Sequence, residues 1–419
     1  MKNKKTSLLF VCILIICIVF LVFKFQNNNE KPNQKQRKVQ DSVGVSIHRD
    51  MTENDVKNMA NAGFQWVRIS VRWQDIETRK GEYDFETEGY DNINKWIKKY
   101  NLKPYYVLNY SNSLYEKHRS ITTKEGRKAF ARFVSVTVKH YKNQNGVWEI
   151  WNEPNITKFW NPQPSYESYV NLVKKVAPII RKEDPNSLIV GPAISRTYPG
   201  SLKWLDQAFN YNLLNYIDAV SVHPYRDAPP ETVIADYQKI RSMIKSHTDR
   251  QIQLFSGEWG YSMAPKPNKK ISEMKQAEYF TRMMLTNKSE NIDLSIWYDW
   301  KNDGYDQSEI EHNFGIVWRS GNPKLTYLAS QTLTTNLKGY KFVKRYNLKN
   351  KDDYLLEFSN KNEKKAIVYW TKGSHHNSTL PLESGSGKAI SMLGAEYQIE
   401  WKKGTDFSFS TSPTYVFID

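Results

Sequence analysis

Between residues 42 and 300, short apolar runs alternate eight times with longer stretches of helical period, and no other feature of the chain limits its fold as strongly. The runs lie at 43–48, 66–70, 104–109, 147–151, 188–190, 219–222, 252–256 and 294–297. Each is short, near-continuously apolar and rich in β-branched or aromatic residues, as in a parallel strand covered on both faces. The stretches between them, among them 125–141, 166–182, 231–246 and 275–286, place apolar residues at i, i+3 and i+4, as crossover helices do. Eight such units over roughly 300 residues predict an α/β fold, a (β/α)8 (TIM) barrel over 41–340, in preference to an open doubly wound sheet. The first run, Val43-Gly44-Val45-Ser46, lacks the glycine pattern of a phosphate-binding loop, and no cofactor is expected.

The pattern changes after about residue 340. Runs at 354–358, 366–370, 397–401 and 414–418 alternate apolar with polar and are divided by turn signals, including Ser384-Gly385-Ser386-Gly387. A small antiparallel β domain over 341–419 is expected, read as a structural appendage rather than a glycan-binding module.

The amino terminus reads as an address. Lys2, Lys4 and Lys5 precede an apolar run from Leu8 to Phe23, and Lys24 follows. Basic residues ahead of an apolar segment are held inside while the rest is exported. Phe20, Leu21, Val22 and Phe23 offer no small residues for cleavage, so residues 1–25 are read as a retained single-pass anchor rather than a removed signal peptide. Val11 and Ile16 precede the two cysteines, where a lipoprotein signal carries a small residue. Residues 26–40, rich in Asn and Lys, read as a flexible tether that leaves the remainder outside the membrane.

Cys12 and Cys17 are the only cysteines, so the remainder has no disulfide framework, thiolate metal site or cysteine nucleophile. No metal is expected. The net charge of +16 comes from lysines scattered in dyads rather than from a basic stripe interleaved with aromatics, which speaks against nucleic acid. The chain also carries 13 Trp, 26 Tyr and 18 Phe, and flat apolar rings suit sugar-binding clefts.

In such a barrel the active site lies at the carboxyl ends of the strands. Two carboxylates stand there among tryptophans. Glu153 follows the fourth run in Trp151-Asn152-Glu153-Pro154-Asn155, and Glu258 follows the seventh in Ser256-Gly257-Glu258-Trp259-Gly260. Cleavage of a glycosidic bond needs this pair: one group protonates the departing oxygen and the other attacks or stabilises the developing oxocarbenium ion. A separation of about 5–5.5 Å means retention of configuration, and about 6.5–9.5 Å means inversion. His48, ending the first run, and His223, ending the sixth, are each either donors to the site or packed core histidines. Tyr225 is placed to hold the nucleophile's carboxylate.

The motifs at 151–155 and 257–260 resemble those of the clan A glycoside hydrolases, most of all family 39 and the bacterial exopolysaccharide-processing endoglycosidases, over about residues 42–339. The resemblance implies a retaining mechanism with Glu153 as acid/base and Glu258 as nucleophile. It also implies that Asn152 bonds the nucleophile and the sugar 2-hydroxyl, and that Arg68 keeps the nucleophile ionised, unless Arg68 serves a structural ion pair. Trp297, or Trp300 in competition with it, would form the floor of the −1 subsite, while Trp73 and Asn109 would line further subsites. The expected substrate is a polysaccharide or oligosaccharide at the cell surface. A transglycosylase and a non-catalytic glycan-binding protein are the competing readings. Loops 50–54, 111–121 and 263–271 would choose the glycan, and the sequence is silent on oligomeric state.

Overall fold

A computed structural model describes residue 39, residues 42–266 and residues 271–419, all within one compact unit, Lys38–Asp419. The expected anchor at 1–25, and all but residue 39 of the expected tether at 26–40, lie outside the described residues. Among the described residues no helix is long and apolar enough to cross a membrane.

Eight parallel strands close into a barrel in chain order. They are β1 (Ser42–Ile47), β2 (Trp66–Arg72), β3 (Lys103–Asn109), β4 (Val147–Ile150), β5 (Leu188–Ser195), β6 (Ala219–His223), β7 (Gln253–Trp259) and β8 (Leu294–Trp297). The main helices around them are α1 (Glu53–Asn61), α2 (Tyr90–Lys99), α3 (Lys124–Tyr141), α4 (Tyr166–Glu183), α5 (Pro199–Asn210), α6 (Ile234–His247), α7 (Glu273–Ser289) and α8 (Leu325–Asn336). Several start on a polar cap: Thr52 and Asp55 form a reciprocal capping box on α1, and Thr123, Ser165 and Ser272 accept from backbone N–H groups at the starts of α3, α4 and α7. All eight expected strands are present.

Alternation along each strand sorts its side chains into two cores. Trp66, Tyr105, Val107, Val147, Val190, Phe255 and Ile296 fill the barrel interior, while their neighbours pack under the helices. Gly44 is the small partner in this layer. A Cβ there would lie 2.4 Å from Ile296 Cδ1 and 2.8 Å from Trp66 Cβ. Packing therefore demands that glycine.

Beyond the barrel lies a six-stranded antiparallel sheet ordered β14-β13-β16-β11-β10-β9, with a separate pair β12-β15. Its strands are β9 (Lys341–Arg345), β10 (Asp353–Ser359), β11 (Lys365–Thr371), β12 (His376–Thr379), β13 (Gly385–Ser391), β14 (Glu396–Trp401), β15 (Asp406–Phe409) and β16 (Thr414–Ile418). The glycine-rich segment read above as a turn signal is instead the start of β13. Its glycines serve close packing: a Cβ on Gly385 would lie 2.9 Å from the Trp401 ring, and one on Gly387 would lie 2.3 Å from the Phe417 carbonyl oxygen. The sheet is tied to the barrel by buried polar contacts. Trp370 Nε1 on β11 donates to Glu231 at 2.7 Å, and Arg282 on α7 grips the same carboxylate at 2.6 and 2.8 Å. Thr411 and Ser412 donate to Glu278 on α7.

Candidate active site

Two irregularities at the carboxyl ends of the strands turn carboxylates into the barrel mouth. After β4, Trp151 (φ 70°) and Glu153 (φ 49°) both adopt the left-handed region, a conformation costing about 1–3 kcal/mol per non-glycine residue. Packing and hydrogen bonds hold the turn. The Trp151 indole donates to the Phe159 carbonyl at 2.9 Å, and the Glu153 N–H donates to the carbonyl of Ala193, at a register shift in β5, at 3.0 Å. In β7 the pairing with β8 shifts between Ser256 and Trp259, inserting an extra residue that re-aims Glu258 toward the barrel axis. Gly257 is required at this bulge, since a Cβ there would lie 2.0 Å from Ser221 Oγ.

The two carboxylates meet over His223. Oxygens of Glu153 and Glu258 and a ring nitrogen of His223 all lie within 4.8 Å of one another. On the other edge of the ring, His223 Nε2 lies 3.4 Å from Arg68 NH2. The Nδ1–H donates to Glu153 Oε1 at 2.9 Å and points 3.9 Å from Glu258 Oε1. Tyr225 Oη donates to Glu258 Oε1 at 2.9 Å, and Arg68 NH1 donates to Glu258 Oε2. Burial raises the Glu258 pKa, but His223, Arg68 and Tyr225 together outweigh it and hold the carboxyl below its ordinary value. Burial and the nearby Glu258 charge push the Tyr225 phenol well above its ordinary range, so it remains a donor.

Beneath the pair is a buried polar layer. Glu149, inside β4, receives Arg68 Nε and NH2 at 3.1 and 2.8 Å and Tyr105 Oη at 2.6 Å. Arg68 NH2 also donates to Asn152 Oδ1 at 2.8 Å, and Asn152 Nδ2 donates to Tyr110 Oη at 3.2 Å. Arg68 thus makes the structural ion pair and the contact with Glu258 at once. Asn152 sits beside the pair, held by Arg68 and Tyr110.

A cavity of about 640 Å³ opens over Glu258, lined among others by His48, Arg49, Ser70, Glu88 and Tyr298. A larger one of about 790 Å³ lies at the amino ends of the strands, among Val43, Phe64, Leu333 and Tyr340, remote from the paired carboxylates. The chemistry selects the smaller.

His48 lines this cleft, 45% exposed, with Nε2 at 3.3 Å from Tyr298 Oη. Four expected lining residues do not reach it. Trp297 is fully buried because β8 alternation sends Ile296 inward and Trp297 outward, onto Phe280 and the Phe314 carbonyl. Trp300 is buried against Phe64, with its indole on Asp55. Trp73 is buried on Tyr115 and Phe133, with its indole on Glu77. Asn109 is buried on the barrel side of β3, in phase with Tyr105 and Val107, and donates to the Ser70 hydroxyl at 3.3 Å. Tyr298 and Tyr110 are each the residue just past an expected strand end; Tyr298 lines the cleft, and Tyr110 accepts from Asn152 beside the carboxylates.

The sequence reading also passed over Glu149, although alternation from the inward-facing Val147 puts it on the barrel axis. Two further acids follow β8. Asp299 is 1% exposed, and neither of its oxygens accepts a hydrogen bond from an N–H or hydroxyl donor. Burial and the neighbouring Asp303 push its carboxyl well above the usual carboxylate range.

Comparison with known proteins follows the same lines. A family described as Cellulase (glycosyl hydrolase family 5) matches residues 28–304. A β-xylosidase of Geobacillus stearothermophilus is 23% identical over 227 residues, covering 47% of this chain and 44% of that protein, so the match spans less than half the length of this curated relative. A family 39 glycoside hydrolase from Bacteroides cellulosilyticus superposes with a TM-score of 0.78 at 22% identity, covering 91% of this chain and 81% of that one. A family 39 β-xylosidase from Caulobacter crescentus gives 0.66 at 15% identity, covering 91% and 96%. The family 39 likeness expected from the motifs therefore reappears in the solved structures, at identities that speak for the fold.

Proposed function

The chain belongs to the cellulase family, glycosyl hydrolase family 5, and on that premise we propose that it cleaves O-glycosidic bonds of a polysaccharide with retention of configuration. The observation that carries this reading is the pair of carboxylates whose oxygens lie within 4.8 Å. Nearest oxygens that close fit the short separation of retaining enzymes, about 5–5.5 Å between the carboxyl groups, better than the about 6.5–9.5 Å of inverting ones.

The surroundings of the two groups divide the roles. Glu258, ionised and steered by Tyr225 and Arg68, is the nucleophile that attacks the anomeric carbon. Glu153 is the acid/base. Its Oε1 already accepts the His223 N–H at 2.9 Å, which leaves Oε2 to carry the proton given to the departing oxygen and later regained from water. His223 touches both carboxylates and acts as a positioning residue. The charge-rich layer of Arg68, Glu149 and Tyr105 fixes the geometry before substrate arrives.

The relatives named β-xylosidase make β-xylosidic oligomers the first substrates to try, and the apolar amino-terminal run supports action outside the membrane on a polymer made or met there. The test is Glu258→Ala with azide. Loss of turnover in this variant, with azide restoring it through a glycosyl azide of inverted anomeric configuration, supports the reading. Unchanged turnover of a substrate whose leaving group needs protonation, in Glu258→Ala or in Glu153→Ala, would overturn it.

A further inference from the structure

Among the described residues two groups bring three ligand-type side chains within 4.8 Å: Glu153, His223 and Glu258, and His48, Asp299 and Asp303. The first is a hydrogen-bonded machine, with His223 at 2.9 Å from Glu153 and Tyr225 at 2.9 Å from Glu258. The second is different in kind. His48 Nε2 stands 3.3 Å from Asp303 Oδ1 and 3.6 Å from Asp299 Oδ2. These distances bracket the spacing of two donors on one tetrahedral ion, about 3.4 Å for bonds of about 2.1 Å.

Asp299 supplies the second, independent observation. It is 1% exposed and its Oδ2 is aimed at His48, yet neither oxygen accepts a hydrogen bond from an N–H or hydroxyl donor, its close polar neighbour being a second acid, Asp303. A buried carboxylate without donors is costly unless it meets a cation or loses its charge. The buried Lys324 on this side donates its amine to Asn302 at 2.7 Å rather than to Asp299. Asp303 adds a second acid to the same space.

We infer that His48, Asp299 and Asp303 form a binding site for one divalent transition-metal ion in the wall of the cleft. One imidazole nitrogen and two carboxylate oxygens suit Zn2+ or Mn2+ and are a poor set for Ca2+, which takes six or more oxygens. On binding, Nε2 exchanges its contact with Tyr298 Oη, 3.3 Å away, for the metal. The ion would tie the segment after β1 to the segment after β8 and complete the wall that carries Tyr298. It takes no part in the carboxylate chemistry and does not depend on that assignment.

The experiment is calorimetric and thermal-shift titration of the full chain with Zn2+ and with Mn2+, in a Cys12→Ser/Cys17→Ser background that removes the thiols as competing ligands. One ion per chain with a rise in melting temperature is expected, with His48→Ala and Asp303→Asn each weakening binding by more than the roughly 10–100-fold lost with an outer partner. Both positions reach solvent, and circular dichroism reports whether the variants fold. Glu258→Ala should bind the metal as the parent does. No saturable binding of either ion, or binding unchanged in His48→Ala and Asp303→Asn, would overturn the assignment. Loss of binding in Glu258→Ala would overturn it too, by moving the ion to the catalytic pair.

Discussion

Glu258 and Asp299 are carboxylates of one barrel mouth, one at the end of β7 and the other just past β8, and both are largely removed from water. Glu258 is met by the Tyr225 hydroxyl, an Arg68 N–H and, at longer range, the His223 N–H. Asp299 is met by another acid and a histidine beyond hydrogen-bond distance. The shift in pKa follows: the donors around Glu258 overcome burial and keep it ionised, whereas burial and Asp303 push Asp299 the other way. Burial alone therefore does not make a nucleophile. What distinguishes the two sites is a guanidinium anchored from below by Glu149 and a phenol delivered by the end of β6.

The comparison can be broken from either side. The largest effect belongs to the carboxylates themselves. Glu258→Ala should lower kcat on the order of 10⁶-fold, as nucleophile removal does elsewhere, and Glu153→Ala about 10²–10⁴-fold for a leaving group that needs protonation. Steady-state kinetics with good and poor leaving groups separate the two, since Glu153→Ala should spare kcat/KM for the good one while still lowering kcat through slow hydrolysis of the glycosyl-enzyme.

Arg68→Met comes next, because it leaves Glu149 buried with only Tyr105 as a partner. A loss of about 3–5 kcal/mol in denaturant unfolding is expected. The sign of its pH effect is fixed. Glu258 works ionised and its pKa is depressed, so kcat/KM falls as pH drops through a value below the ordinary carboxylate figure of about 4.3. The stability from that depressed pKa is present above about 4.3 and disappears as pH falls further. Removing Arg68 should move the acid limb of the rate profile to higher pH. A limb that stays in place would show that Arg68 is structural only.

Tyr225→Phe removes one hydrogen bond to a charged oxygen, worth about 1.5–3 kcal/mol, so kcat/KM should drop about 10–100-fold with little change in melting temperature. The smallest effect is on the other side. Asp299→Asn in metal-free protein should leave the melting temperature unchanged or slightly raised, within about 1 kcal/mol, because no N–H or hydroxyl donates to either oxygen and the amide can still donate to Asp303. A drop as large as that for Arg68→Met would mean that Asp299 has structural partners after all.

Much of this arrangement is legible in the sequence, for reasons that can be named. The eight strands are buried on both faces, so their apolar runs stand out, and the barrel rule places Glu153 and Glu258 at strand ends without knowledge of any loop. Less legible is the direction a side chain takes at the point where a strand gives way to a turn. Trp297 sits at such a point and falls on the covered side, while Tyr298, one residue on, faces the site. A shift of one residue exchanges the two faces. The register shift in β7 that aims Glu258, and the left-handed residues Trp151 and Glu153, carry no signal in the pattern of apolar residues. Glu149 could have been found: an acid in phase with Val147 on a buried strand requires a cation, and Arg68 was already in view. The glycines of β13 misled because close packing and turning call for the same residue.

The division of labour between Glu153 and Glu258 meets its most direct test in covalent trapping. The full chain is incubated with 2-deoxy-2-fluoro glycosides bearing a dinitrophenyl leaving group, starting with the β-xyloside, and its peptides are read by mass spectrometry. A single glycosyl adduct on the Glu258 peptide, absent from Tyr225→Phe at early times and slow to turn over, is the predicted result. An adduct on Glu153, or release of the leaving group at a steady rate with an inverted sugar product and no adduct, would contradict the account.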